Sequence, residues 1–168
     1  MADNQTFRVF VTVGAQMPFD RLIRAVDDWA VSQSDNAVEF FAQVGPEGYQ
    51  PKAMPWTEFI EPAEFKKRVE WCDVLIAHAG MGSILTALQA GKPILVLPRK
   101  GELRETRNDH QIATAKRFRD MGKVAVAMEE ADLAGELTRL RDLDATSRIS
   151  AYASPQLVNA LRDFIHAS

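Results

Sequence analysis

The chain has 168 residues, 20 Lys+Arg against 23 Asp+Glu, and a formal charge of −3. Domains usually run roughly 100–200 residues, so the length predicts one domain over residues 1–168 with room for a complete core. A hydrophobic share of 46% and a charged share of 26% exclude wholesale disorder, and the mild acidity argues against a protein that grips nucleic acid by charge.

The first predicted element is a buried strand, Phe7 to Val13, a β-branched and aromatic run that ends at Gly14. An amphipathic helix follows from Asp20 to Ala30, with Leu22, Ile23, Val26, Trp29 and Ala30 on one face. Val38 to Val44 is a second strand, closed by Gly45-Pro46-Glu47-Gly48. A short strand is expected near Trp56 to Ile60, then a helix from Pro62 to Cys72. Asp73 to Ala77 is apolar after its first residue and predicts another strand, abutting His78-Ala79-Gly80-Met81-Gly82-Ser83. A helix from Ser83 to Ala90 stops at Gly91. Pro93 to Pro98 is a further buried strand. The polar loop Arg99 to Arg107 leads to a helix from Asp109 to Met121, and Val124 to Ala127 is the last strand. Helices at Ala131–Leu143 and Pro155–His166 complete the chain.

Strands alternate with helices, and the strands are continuous apolar runs. That pattern predicts a Rossmann-like α/β fold, a doubly wound parallel sheet covered on both faces. Ligands of such sheets bind outside the carboxyl ends of the strands, so the loops after Val13, Ala77 and Leu97 are where chemistry is expected.

The strongest of these is His78 to Leu88. Gly80 and Gly82 let backbone approach a ligand, and the helix start offers free N–H groups and a positive dipole end to an anion such as a diphosphate. Ser83 is expected to cap the helix or donate to a phosphate oxygen, and His78 to donate as well. The bland alternative is a plain strand-to-helix turn. Neither the P-loop nor the dinucleotide fingerprint is present. The segment from Thr12 through Gly14 to Asp20 repeats the strand–glycine–helix design, and its bland reading has Asp20 as a helix cap. The third loop carries Arg99, Lys100, Arg104 and Arg107, which suit phosphates or an acidic sugar. Asn108, Asp109, His110 and Gln111 then offer donors and acceptors to a hydroxyl-rich ligand.

Other features exclude more than they suggest. Cys72 is the sole cysteine, so no internal disulfide and no thiolate cluster can form, and it reads as a core residue. His78, His110 and His166 lack metal-ligand spacing, so no metal is expected. Trp29, Trp56 and Trp71 read as packing residues. The start, Met1 to Gln5, lacks the basic cap and apolar run of a signal peptide, and no window approaches the ~20 apolar residues of a membrane span. A cytoplasmic chain is the expectation.

The three loops in this order resemble glycosyltransferase family 28, in its C-terminal, donor-binding domain. The matching pieces are Phe10-Val11-Thr12-Val13-Gly14 with Phe19 to Ile23, His78 to Ser83 through Ala87-Leu88, Gly91-Lys92-Pro93, and Asn108 to Gln111. They span residues 7–128. The sequence is most similar to stand-alone versions of this domain. These are the type found in the two-part dolichol-linked N-acetylglucosaminyltransferase and in bacterial exopolysaccharide glycosyltransferases.

The resemblance implies one half of a GT-B fold and inverting sugar transfer from a UDP-sugar to a lipid-linked acceptor. It implies no cofactor and no metal. It also implies a membrane-anchored partner subunit that binds the acceptor, with membrane contact only through that partner. It places Gly14, His78, Gly80, Met81, Gly82 and Ser83 by the donor diphosphate, and Asn108, Asp109, His110 and Gln111 by the sugar or ribose. Thr86 stands where many members carry the Glu that holds the ribose hydroxyls, and Arg99 joins the donor side from the basic loop. His78 is implied as a stabiliser of the leaving group, with no general base assigned. Two other readings compete: a nucleotide-sugar-binding module without turnover, and an unrelated doubly wound domain such as a flavodoxin-like signalling module.

Overall fold

The computed structural model describes residues 6–33, 37–121 and 124–142, together with 159, 162 and 163. The predicted helix Pro155–His166 lies outside the described residues apart from those last three positions.

Six parallel strands form one sheet: β1 (Phe7–Thr12), β2 (Val38–Gln43), β3 (Trp56–Thr57), β4 (Val74–His78), β5 (Ile94–Leu97) and β6 (Ala125–Val126). Their spatial order is β3-β2-β1-β4-β5-β6. Among the described residues the helices that connect or follow them are α1 (Asp20–Ser32), α2 (Pro62–Trp71), α3 (Met81–Gln89), α4 (His110–Met121) and α5 (Glu130–Asp142).

Side chains alternate across a strand, and that alternation builds two cores. Val9, Val11, Val74, Ile76, Leu95 and Leu97 face one way and pack with Leu22, Ile23 and Val26 of α1 and Leu133 and Leu137 of α5. Phe10, Leu75, Ala77, Ile94 and Val96 face the other way. They pack with Val69 of α2, Ile84 and Leu88 of α3, and Phe118 of α4. The central strands are therefore apolar on both faces, which is why they read as unbroken apolar runs. Cys72 is fully buried in the second core, where burial pushes its thiol up to about 12. Trp29 packs edge-on against Phe40 with ring centroids 5.7 Å apart.

The boundary shifts are small but two matter. β4 runs through His78, so the histidine is the last residue of the strand rather than the first of the loop. α3 begins at Met81, two residues before the expected start, with Gly80 at the cap position and no side-chain cap. Ser83 thus sits inside the first turn and is not the cap. Asp20 does not cap α1 either: Phe19 holds the cap position without a side-chain hydrogen bond, and the Asp20 carboxylate accepts from the Tyr49 N–H at 2.8 Å.

After β1 the chain winds toward β2, and after β4 it winds the other way, toward β5. The two strands are neighbours, with Thr12 opposite Ala77. Their carboxyl ends flank the point where the winding reverses, which opens a crevice there.

Candidate functional site

A cleft of about 550 Å³ lies at that reversal point. One wall is the β1–α1 loop, Gly14 to Met17; the opposite wall is the start of α3, with Gly82, Ser83 and Thr86. His78, Arg99 and Gln111 also line it. An apolar end is built from Phe59, Ile60, Pro62 and Phe65 around the start of α2. Among the described residues no Asp or Glu lines the cleft.

Glycine is required where the strand ends meet. Gly14 has φ +85°, and a Cβ there would come 2.8 Å from Cε1 of His78. A Cβ on Gly80 would run into Nε2 of the same ring. The imidazole is therefore gripped between two backbones. Its Nδ1 is buried with no hydrogen-bond partner. Burial, and secondarily the charge of Arg99, lowers its pKa to about 4, so His78 is neutral at pH 7. Gly82 is different. A Cβ there would meet nothing within 4 Å, and the residue is exposed at the cleft wall. The protein's own packing does not need glycine at that position.

The first turn of α3 supplies the positive end of the site. The Ile84 N–H donates to the Gly80 carbonyl at 3.2 Å, the first bond of the helix. The N–H groups of Met81, Gly82 and Ser83 precede it and have no acceptor within the helix. Summed with the helix dipole, they favour an anion at this wall. Thr86 donates its hydroxyl to the Gly82 carbonyl at 2.8 Å.

The β1–α1 loop is fixed from two sides. Gln43, buried at the end of β2, accepts from the Thr12 hydroxyl at 2.7 Å and the Val13 N–H at 3.2 Å. Its amide donates to the carbonyls of Gly14 and Glu58, both at 3.0 Å. Arg99, 4% exposed, donates from Nη2 to the carbonyls of Val13 (2.6 Å) and Met17 (2.8 Å). Its Nη1 donates to the carbonyls of Pro18 (2.7 Å) and Glu105 (3.2 Å). The guanidinium carbon lies 4.8 Å from the centroid of the Phe19 ring, and the Arg99 backbone N–H donates to Gln111 Oε1 at 3.0 Å.

Of the site residues read from the sequence, the cleft brings together Gly14, His78, Gly82, Ser83, Thr86, Arg99 and Gln111. Gly80 and Met81 sit at the α3 start and are not among the lining residues. Asn108, Asp109 and His110 are exposed at the start of α4, outside the lining residues. Asp109 accepts from the Gly101 N–H at 3.0 Å, and Asn108 from the His110 N–H at 3.1 Å. The four basic loop residues do not converge on the cleft. Arg99 faces loop carbonyls, Lys100 Nζ lies 2.6 Å from both Glu129 oxygens, and Arg104 and Arg107 are exposed. Sequence reasoning missed Gln43, Thr106 and the apolar end. The apolar pair Phe59-Ile60 between Glu58 and Glu61 was the signal that could have pointed to that end. Among the described residues no group of three or more His, Cys, Asp or Glu is placed to hold a metal, and no helix is long and apolar enough to cross a membrane.

A six-stranded parallel sheet in this order, with a cleft at its reversal point, defines a Rossmann-like doubly wound α/β domain. Among solved structures the chain superposes on MurG of Acinetobacter baumannii with a TM-score of 0.65 at 21% identity, covering 100% of this chain and 51% of that one. The glycotransferase of kitacinnamycin gives a TM-score of 0.65 at 16% identity, covering 99% and 41%. These likenesses speak for the fold alone. Residues 8–153 match the model of the glycosyltransferase family 28 C-terminal domain, and the chain belongs to that family. It is 30% identical to the UDP-N-acetylglucosamine transferase subunit ALG13 of Eremothecium gossypii, covering 78% of this chain and 80% of that protein. It is also 30% identical to the human protein of the same name over 68% of this chain, and it spans only 10% of that relative's length.

Proposed function

We propose that this chain is the donor-binding subunit of an inverting glycosyltransferase, moving a hexose-type sugar from a UDP-sugar to a lipid-linked acceptor in glycan or exopolysaccharide synthesis. The observation that carries the reading is the cleft itself. Among the described residues it has no carboxylate in its lining to repel a diphosphate, it has the first turn of α3 as one wall, and it has an apolar end whose character suits a nucleobase. Relatives named as UDP-N-acetylglucosamine transferase subunits support the donor class.

In this reading the diphosphate lies against the N–H groups of Met81 to Ser83, and the base lies against Phe59, Ile60 and Phe65. As the sugar–phosphate bond breaks, negative charge grows on the departing UDP. Donors already oriented before the reaction stabilise that charge without reorganising. Neutral His78 serves as a donor from the strand end. Among the described residues the cleft lining offers no carboxylate to take the acceptor's proton, and a general base is needed for that step. A membrane-anchored partner subunit supplies both base and acceptor site, and recruits this chain to the cytoplasmic side of the membrane. No metal enters the proposal.

Calorimetry tests it. UDP and a UDP-sugar such as UDP-N-acetylglucosamine should give saturable binding, unchanged by a chelator. Absence of binding to every UDP-sugar and to UDP, alone or with the partner, would overturn the reading. A second reading, a nucleotide-sugar-binding module without turnover, draws on Thr86, whose hydroxyl is already engaged with the Gly82 carbonyl. Turnover by the reconstituted pair, lost on changing the cleft, separates the two.

A further inference from the structure

Arg99 sits in the wall of a cleft read as a diphosphate site, where an arginine invites the role of phosphate ligand. Its geometry says otherwise. A guanidinium carries five N–H donors, four of them on the two Nη atoms. Here those two atoms already make four hydrogen bonds, all to main-chain carbonyls, and three of the acceptors belong to the β1–α1 loop: Val13, Met17 and Pro18. The group is 4% exposed and stacked near Phe19. A phosphate contact from either Nη would require breaking bonds as short as 2.6 Å.

We propose that Arg99 is a positioning residue that sets the shape of the Gly14–Met17 wall, and that it contributes no direct bond to the ligand. The planar fork turns the carbonyls of Val13, Met17 and Pro18 inward, away from an incoming anion. Gln43 does the same for the Gly14 carbonyl from the other side. The wall that remains presents no carbonyl from these four positions to a phosphate. The ligand chemistry named here rests on the nucleotide reading above; the contact with the loop does not.

The role predicts that charge alone cannot replace the fork. Lysine keeps the charge but has three donors on one atom and no planar geometry. UDP affinity measured by calorimetry should fall at least tenfold in both Arg99→Lys and Arg99→Gln, to similar extents. A phosphate ligand would instead leave Arg99→Lys within threefold of the parent and Arg99→Gln far weaker, which would overturn the proposal. The unsubstituted chain gives a second readout that does not depend on variants folding. Its Arg99 Nη–H resonances should be resolved and slowly exchanging without ligand, and should keep those shifts when UDP is added. Appearance or large movement of those signals only on UDP addition would mark a direct contact and sink the idea. If the parent chain binds no UDP, the nucleotide reading fails separately, while the ligand-free Nη spectrum still decides whether Arg99 holds the loop.

Discussion

His78 shows how one residue can be held in a costly state by its surroundings. Its ring is pressed between Gly14 and Gly80, Nδ1 is buried without a partner, and its pKa falls from 6.5 to about 4, chiefly through burial. The unfolded chain binds a proton at this residue below pH 6.5, whereas the folded chain resists until about pH 4. The stabilising difference is therefore present above the unfolded pKa and is lost as pH falls through the folded one. Between pH 7.5 and 5 this single group should cost the fold about 2 kcal/mol. Urea unfolding at the two pH values, compared between the parent and His78→Asn, measures it. The variant should lose less stability over that interval, and an identical loss would remove His78 as the cause. The histidine and its glycines were legible in the sequence because a buried strand runs directly into them. Its desolvated state was not, since it depends on Gly14 arriving from a strand far away in the chain.

At the scale of the element, α3 separates packing from function through two glycines two residues apart. Gly80→Ala drives a methyl group into the His78 ring, and should destabilise the fold by ~1–3 kcal/mol. Gly82→Ala meets no neighbour and replaces a poor helix former, so it should be neutral or stabilising by up to about 1 kcal/mol. Yet its methyl group would stand where a bound anion approaches, and UDP binding should weaken in a chain that melts at the same or a higher temperature. Equal UDP affinity in Gly82→Ala would show that no ligand comes close to this turn. Ser83→Asp should weaken UDP binding at least tenfold by setting like charge beside the phosphates; unchanged affinity would place the phosphates elsewhere. The helix itself was readable from its apolar spacing. Its start was misjudged by two residues because a serine suggested a cap, whereas Gly80 opens the helix without any side-chain cap.

At the scale of the whole molecule, a few buried or half-buried polar side chains join segments distant in the chain. Arg21 of α1 donates from Nε to Glu105 at 2.7 Å, from Nη1 to Glu130 of α5 at 2.8 Å and from Nη2 to the Pro98 carbonyl at 2.9 Å. Burial works against its charge, but the hydrogen bonds to the two glutamates outweigh that and hold its pKa above the ordinary arginine value. Asp27 in turn accepts from the Tyr49 hydroxyl and the N–H groups of Lys52 and Ala53, tying the segment after β2 to α1. Arg21→Ala leaves Glu105 with 13% side-chain exposure and without this partner. The expected loss is ~2–3 kcal/mol in a denaturant titration, since removing one member of a largely buried pair costs more than the pair contributes. A loss under about 0.5 kcal/mol would class the bridge with ordinary surface ion pairs.

The sequence by itself determined the α/β class, the strands and helices of the described residues, and the strand ends that carry the site. Those features follow from local pattern: apolar runs long enough for strands, helical spacing of apolar residues, and glycines at strand-to-helix turns. Only the tertiary structure decided which of the candidate residues meet. It set β1 beside β4, turned Arg99 toward loop carbonyls, drew Lys100 to Glu129, and closed the cleft with Gln43, Phe59 and Phe65. Such choices depend on sheet order and on side-chain direction between segments far apart in the chain, and no local spacing encodes them.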